Sequence, residues 1–162
     1  MEQLKKYYDV LIVGGGIGGL MAAHRLTEKA PQLKVCLVEQ GNSLENRKCP
    51  IVTKQTDHCI RCKSCAIMEG LGGAGAFSDG KYVISTEYGG WLTSFLEPEV
   101  VLDYIEQADR ILVSYGATTE RYMPNNDLKK LCLQYDLNML QAQLKHLGTD
   151  SNFATMVKMV QD

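Results

Sequence analysis

The spacing of apolar residues changes repeatedly along this chain, and each change predicts an element. Residues 8–13, YDVLIV, form a short run of strand-forming residues that ends in glycines. Ile17, Leu20, Ala23 and Leu26 then recur at helical spacing, predicting a helix over residues 16–29 that Pro31 terminates. Residues 33–40, LKVCLVEQ, are again nearly continuously apolar, as in a strand buried on both faces of a parallel sheet. Strand, helix and strand make one βαβ unit over residues 8–40, whose crossover is right-handed. The expected fold class is α/β: a partial Rossmann-like domain with a parallel sheet.

Periodicity disappears over residues 41–80, where cysteines and glycines dominate. So long an irregular stretch in a compact domain reads as a functional or metal-stapled loop. Residues 81–162 read as mainly helical after a short strand, KYVIS. Pro98 opens an amphipathic helix with Val101, Tyr104, Ile105, Ala108, Ile111 and Leu112 on one face, and Gly116 is its natural stop. Asn126 or Asp127 caps a further helix to about residue 135. LNMLQA, residues 137–142, reads as a strand rather than a continuation of that helix. A last helix starts at Thr149 or Asp150 and runs to residue 162 in mid-pattern.

Composition narrows the function. With 162 residues, 45% hydrophobic and 22% charged, the chain is an ordinary globular domain. Its net charge of −2 gives no electrostatic basis for nucleic-acid or anionic-membrane binding. Lys5 and Lys6 followed by an apolar run superficially resemble a secretory signal. Asp9 and the glycines at 14–16, 18 and 19 break that pattern and favour a buried strand. No stretch reaches the length of a membrane span, so a cytoplasmic protein with reduced thiols is expected.

The sequence GGGIGG places Gly14, Gly16 and Gly19 in the G-x-G-x-x-G pattern, after a strand and at the opening of a helix. Gly14 allows the tight turn, Gly16 lets backbone approach a pyrophosphate, and Gly19 allows close helix packing. Glu39, twenty residues past Gly19, can accept from ribose hydroxyls and repel a 2′-phosphate. The adenosine partner is therefore FAD or NAD rather than NADP.

Cys59, Cys62 and Cys65 form C-x2-C-x2-C, with Cys49-Pro50 upstream. Four thiolates at these positions suit an iron–sulfur cluster or zinc. A redox dithiol favoured by Arg61 and Lys63, or a set of inert structural thiols, are the other readings. His58 is a further metal-ligand candidate. Cys36 and Cys132 lie on regular elements and read as small buried hydrophobes. The run GLGGAGAFSDGK lets backbone lie against a ring or phosphate through Gly73 and Gly75. Ser78 and Asp79 there offer polar groups to a cofactor edge. A flexible surface loop is the alternative. His146 reads as an ordinary exposed histidine, and no catalytic residue is assigned.

YDVLIVGGGIGGLMAAHRL…KVCLVEQ resembles the amino-terminal FAD-binding segment of the two-dinucleotide-binding-domain flavoproteins. RKCP, CIRCKSCAIMEGLGGAGAFSDGK and HLGTD, in that order, resemble the bacterial FAD-dependent dehydrogenase-like proteins, often labelled NAD(FAD)-dependent dehydrogenases. The resemblance implies FAD as cofactor and a flavin redox function. It also implies a small-molecule redox substrate or NAD(P)H as partner of the complete protein. The family's members are far longer, so the chain is expected to be an amino-terminal portion, 1–162, of a flavin-dependent oxidoreductase. A non-catalytic nucleotide- or metal-binding module is the competing reading.

Overall fold

A computed structural model describes residues 7–123, 125–140 and 142–162. The signal-like lysines of the opening segment lie outside them. The elements are β1 (Val10–Val13), α1 (Ile17–Lys29), β2 (Val35–Val38), β3 (Lys81–Ile84), α2 (Pro98–Ser114), α3 (Asn126–Leu133), β4 (Gln143–His146) and α4 (Thr149–Gln161). The mixed α/β class is as expected. The chain divides into two compact units: Met1–Ser78 with Met156–Asp162, and Asp79–Thr155.

In the first unit β1 and β2 pair in parallel, Val10 opposite Val35 through Val13 opposite Val38. α1 packs on both strands, completing a partial Rossmann-like βαβ unit. The strands are four residues each, shorter than the apolar runs suggested. The β2 run predicts burial on both faces and the β1 run a buried strand. Instead Val38 is exposed, and in β1 Leu11 is 61% and Val13 79% exposed while Val10 and Ile12 are half-buried. The long segment after β2 is irregular, as predicted, apart from single 3-10 turns at Leu44–Asn46 and Ala74–Phe77.

In the second unit β3 and β4 are antiparallel, Lys81 opposite His146 through Ile84 opposite Gln143. Tyr122 bridges to Leu144 through a reciprocal pair of backbone hydrogen bonds. α2 begins at Pro98, where a proline lacks an N–H the first turn would leave unpaired anyway. It ends in a Schellman motif: Gly116 at φ +102° donates to Val113 O, and Ala117 donates to Leu112 O. Asn125 caps α3, its side chain accepting from Leu128 N–H, one residue before the expected cap.

Three expectations change. Residues 137–140 form no strand, and Gln141 lies outside the described residues. The strand comes at β4 instead, where a mid-strand lysine masked it. Tyr104 is exposed rather than part of the buried face of α2, while Asp109 on that helix is buried. The burial of Lys145 in β4 and of Asp109 in α2 belongs to one cluster. Lys145 is 1% exposed, its Nζ 2.6 Å from Asp109 Oδ1 and 2.8 Å from Oδ2. Arg121 reaches Asp109 Oδ2 at 3.0 Å and Glu106 through two bonds of 2.7 and 2.6 Å. The Arg121 hydrogen bond holds the Glu106 carboxyl below its usual range. Tyr82 donates to Asn152 Oδ1 at 2.6 Å, and burial, then the nearby Asp109 charge, push its phenol pKa up.

Candidate dinucleotide site

The glycine turn sits at the carboxyl ends of β1 and β2, where open α/β sheets bind ligands. Gly14 takes φ +101°, a left-handed conformation that a side chain resists, and its N–H donates to Val38 O at 2.8 Å. Gly19 answers to packing: a Cβ there would lie 2.0 Å from Gly14 O. Gly16 is different. Its backbone is extended rather than left-handed, and an added Cβ would meet no protein atom within 4 Å. Gly16 is also the N-cap of α1, with no side-chain cap and no acidic residue in the first turn. The helix thus presents its first-turn amides and partial positive charge uncapped, an arrangement that accepts an anion.

Glu39 stands beside this turn. Its Oε2 accepts from Gly15 N–H at 2.7 Å, and Oε1 accepts from Gly41 N–H at 2.9 Å and Gly70 N–H at 3.0 Å. The Gly15 hydrogen bond, then that of Gly41, hold the carboxyl below its ordinary range. Gly70 and the positive charge of Arg47 act in the same direction, against burial. A carboxylate offers about four acceptor positions, so three amides leave capacity for one further donor. Glu39 lines a hollow of about 360 Å³ with Val13, Gly14, Val38 and Gln40. The residue predicted to meet a ribose therefore also ties three backbone segments together, which its spacing alone did not reveal.

The glycine-rich run divides between several roles. Gly72 N–H donates to Gly15 O at 2.8 Å. Gly73, at φ +60°, lies so close to the turn that an added Cβ would be 3.2 Å from Gly16 Cα. Gly75 faces open space, and Ser78 N–H donates to Gly75 O. Asp79 belongs to the second unit, where its carboxylate lies 2.8 Å from Lys81 Nζ and 3.6 Å from His146 Nε2. The Lys81 contact, with help from the nearby His146, keeps Asp79 below its usual range.

The expected ligand set of Cys49, Cys59, Cys62 and Cys65 is not gathered. Among the described residues no group of three or more His, Cys, Asp or Glu side chains could hold a metal ion. Cys59 and Cys62 are exposed, Cys49 and Cys65 half-buried, and all are free thiols. The spacing permits convergence, and the intervening backbone is turned. Thr53 and Gln55 fold back onto the carbonyls of Cys49 and Pro50, and Arg61 between two of the cysteines takes φ +52°. His58, exposed beside Cys59, joins no such group either.

The residue that sequence reasoning missed is Arg47, 4% exposed. Its guanidinium donates to four backbone carbonyls and lies 4.6 Å from the centre of the Phe77 ring. Arg47 opens the RKCP stretch that carries part of the family resemblance, but neither periodicity nor spacing gave its side chain a role.

Residues 9–61, about a third of the chain, match the family model described as lycopene cyclase protein. The matched span holds β1, the glycine turn, α1, β2 and Glu39. No curated protein and no solved structure matches the chain. Among the described residues no helix is long and apolar enough to cross a membrane.

Proposed function

We propose that the chain is the FAD-binding portion of a flavin-dependent oxidoreductase. The observation that carries this reading is the opening at Gly16. Gly16, where an added Cβ would meet no protein atom within 4 Å, stands at the amino end of a helix with no side-chain cap, beside a carboxylate-lined hollow at the ends of two parallel strands. The backbone at Gly14–Gly16 and the first-turn amides of α1 would take the pyrophosphate, and the remaining acceptor position of Glu39 a ribose hydroxyl. Because Glu39 stays ionised, a 2′-phosphate in its place is repelled, which disfavours NADP. FAD rather than NAD follows from the likeness to flavoproteins of YDVLIVGGGIGGLMAAHRL and of the later cysteine–glycine run. When bound, the flavin would supply the two-electron redox chemistry. The chain's own residues bind and orient it. A small-molecule redox substrate or NAD(P)H is the partner this reading assigns to the complete protein.

Titration of the purified chain with FAD, followed by quenching of flavin fluorescence, tests the reading. Saturable binding that NADP fails to displace is expected. Absence of saturable FAD binding overturns it.

A further inference from the structure

Arg47 makes a set of contacts that nucleotide binding alone does not call for. Nε donates to Ala66 O at 3.0 Å and Nη2 to Ile67 O at 2.8 Å, while Nη1 donates to Leu71 O at 2.7 Å and Gly73 O at 2.8 Å. Four of the five guanidinium N–H groups are used, and the plane is closed off by Phe77. Every acceptor is a backbone carbonyl of residues 66–73, a segment with no helix or strand of its own.

The same segment touches the glycine turn. Gly70 N–H is held by Glu39, Gly72 N–H by Gly15 O, and Gly73 lies against Gly16. A Cβ on Gly15 would run into the Leu71 side chain at 2.6 Å. The segment is therefore a strap, fastened along its length by Arg47 and lying over the residues that open toward the ligand.

A buried charge is costly to desolvate, and well-packed apolar side chains often replace one without loss of stability. What an apolar residue cannot do is draw four carbonyls to one point. Lysine cannot do it either, since its three donors lack the planar fork. We propose that Arg47 is the positioning residue of the dinucleotide site: it holds the 66–73 strap against Gly15 and Gly16 and so fixes the opening over the amino end of α1. This rests on the site reading above.

The test compares the full chain with Arg47→Lys, Arg47→Ala and Gly73→Ala. FAD affinity is measured alongside amide hydrogen exchange at residues 70–73, and circular dichroism checks the fold. Arg47→Lys is expected to keep the fold, speed exchange in the strap and weaken FAD at least tenfold. Arg47→Ala is expected to regain affinity when guanidinium ion is added at millimolar, non-denaturing concentration, which a general loss of stability would not do. Gly73→Ala leaves Arg47 in place but adds a Cβ against Gly16 at a left-handed position. It should weaken FAD comparably, and it judges the proposal should the Arg47 variants fail to fold. Wild-type affinity in Arg47→Lys or in Gly73→Ala overturns the proposal. If the wild type binds no FAD, the site reading falls, and Arg47 is then judged by exchange alone: strap amides as slow in Arg47→Lys as in the wild type refute its role.

Discussion

In the first unit, the charged side chains withdrawn from water turn to the backbone. Glu39 collects three amides and Arg47 collects four carbonyls, and between them they shape a glycine-rich segment that has no regular structure. In the second unit the charges turn to one another. Asp109 is shared by Lys145 and Arg121, and Arg121 grips Glu106 with a bidentate pair. The second arrangement ties α2 to β4 and to the segment before α3, and its charges are paired within the cluster. The first leaves an uncapped helix end and a carboxylate with room for a donor. Charges that organise backbone shape the proposed binding surface; charges that satisfy each other make a clasp.

The largest expected effect falls on the clasp. Asp109→Ala leaves Lys145 buried without its carboxylate, and breaking a buried pair in this way costs about 3–5 kcal/mol. Urea unfolding should show the loss, while FAD affinity measured on folded protein should not change. A variant as stable as the wild type would show that the cluster is not the clasp described.

Next comes Gly19→Ala, which drives a Cβ toward Gly14 O at 2.0 Å. Overpacking of this kind costs roughly 1–3 kcal/mol. Because the clash displaces the turn itself, both stability and FAD binding should fall together. Retention of both would mean that the turn yields freely.

A smaller effect is expected from Glu39→Gln, about 1–2 kcal/mol from weakened charge-assisted hydrogen bonds, and it should depend on pH. The folded carboxyl lies below its unfolded value of about 4.3, so its contribution is fully present above that pH. It is lost as pH falls through the lowered folded value. The stability gap between wild type and Glu39→Gln should therefore be constant near neutrality and close in acid. A gap that persists at the lowest pH of native folding would contradict the assignment.

The sequence made the βαβ half of the first unit legible because its signals are local. A strand, three spaced glycines and an acidic residue at the next strand's end need only neighbours to act. Likewise, Pro98 and Gly116 mark both ends of α2 by what a backbone position permits. β4 was hidden because Lys145 sits mid-strand, and only the distant Asp109 makes its burial tolerable. Arg47 was hidden for the same reason, since its partners are carbonyls some twenty residues further on. The cysteines are a third case: their spacing invites a metal, while among the described residues no group of three or more His, Cys, Asp or Glu side chains is placed to hold one.

The most direct test of the central claim is the contrast between Gly16 and Gly19 in one titration series. A Cβ at Gly16 meets no protein atom, so Gly16→Val should fold with the circular dichroism and thermal midpoint of the wild type. The branched side chain would stand where the pyrophosphate must lie. Folded Gly16→Val is expected to show no saturable FAD binding under conditions where the wild type saturates. A folded Gly16→Val that binds FAD as the wild type does would contradict the claim.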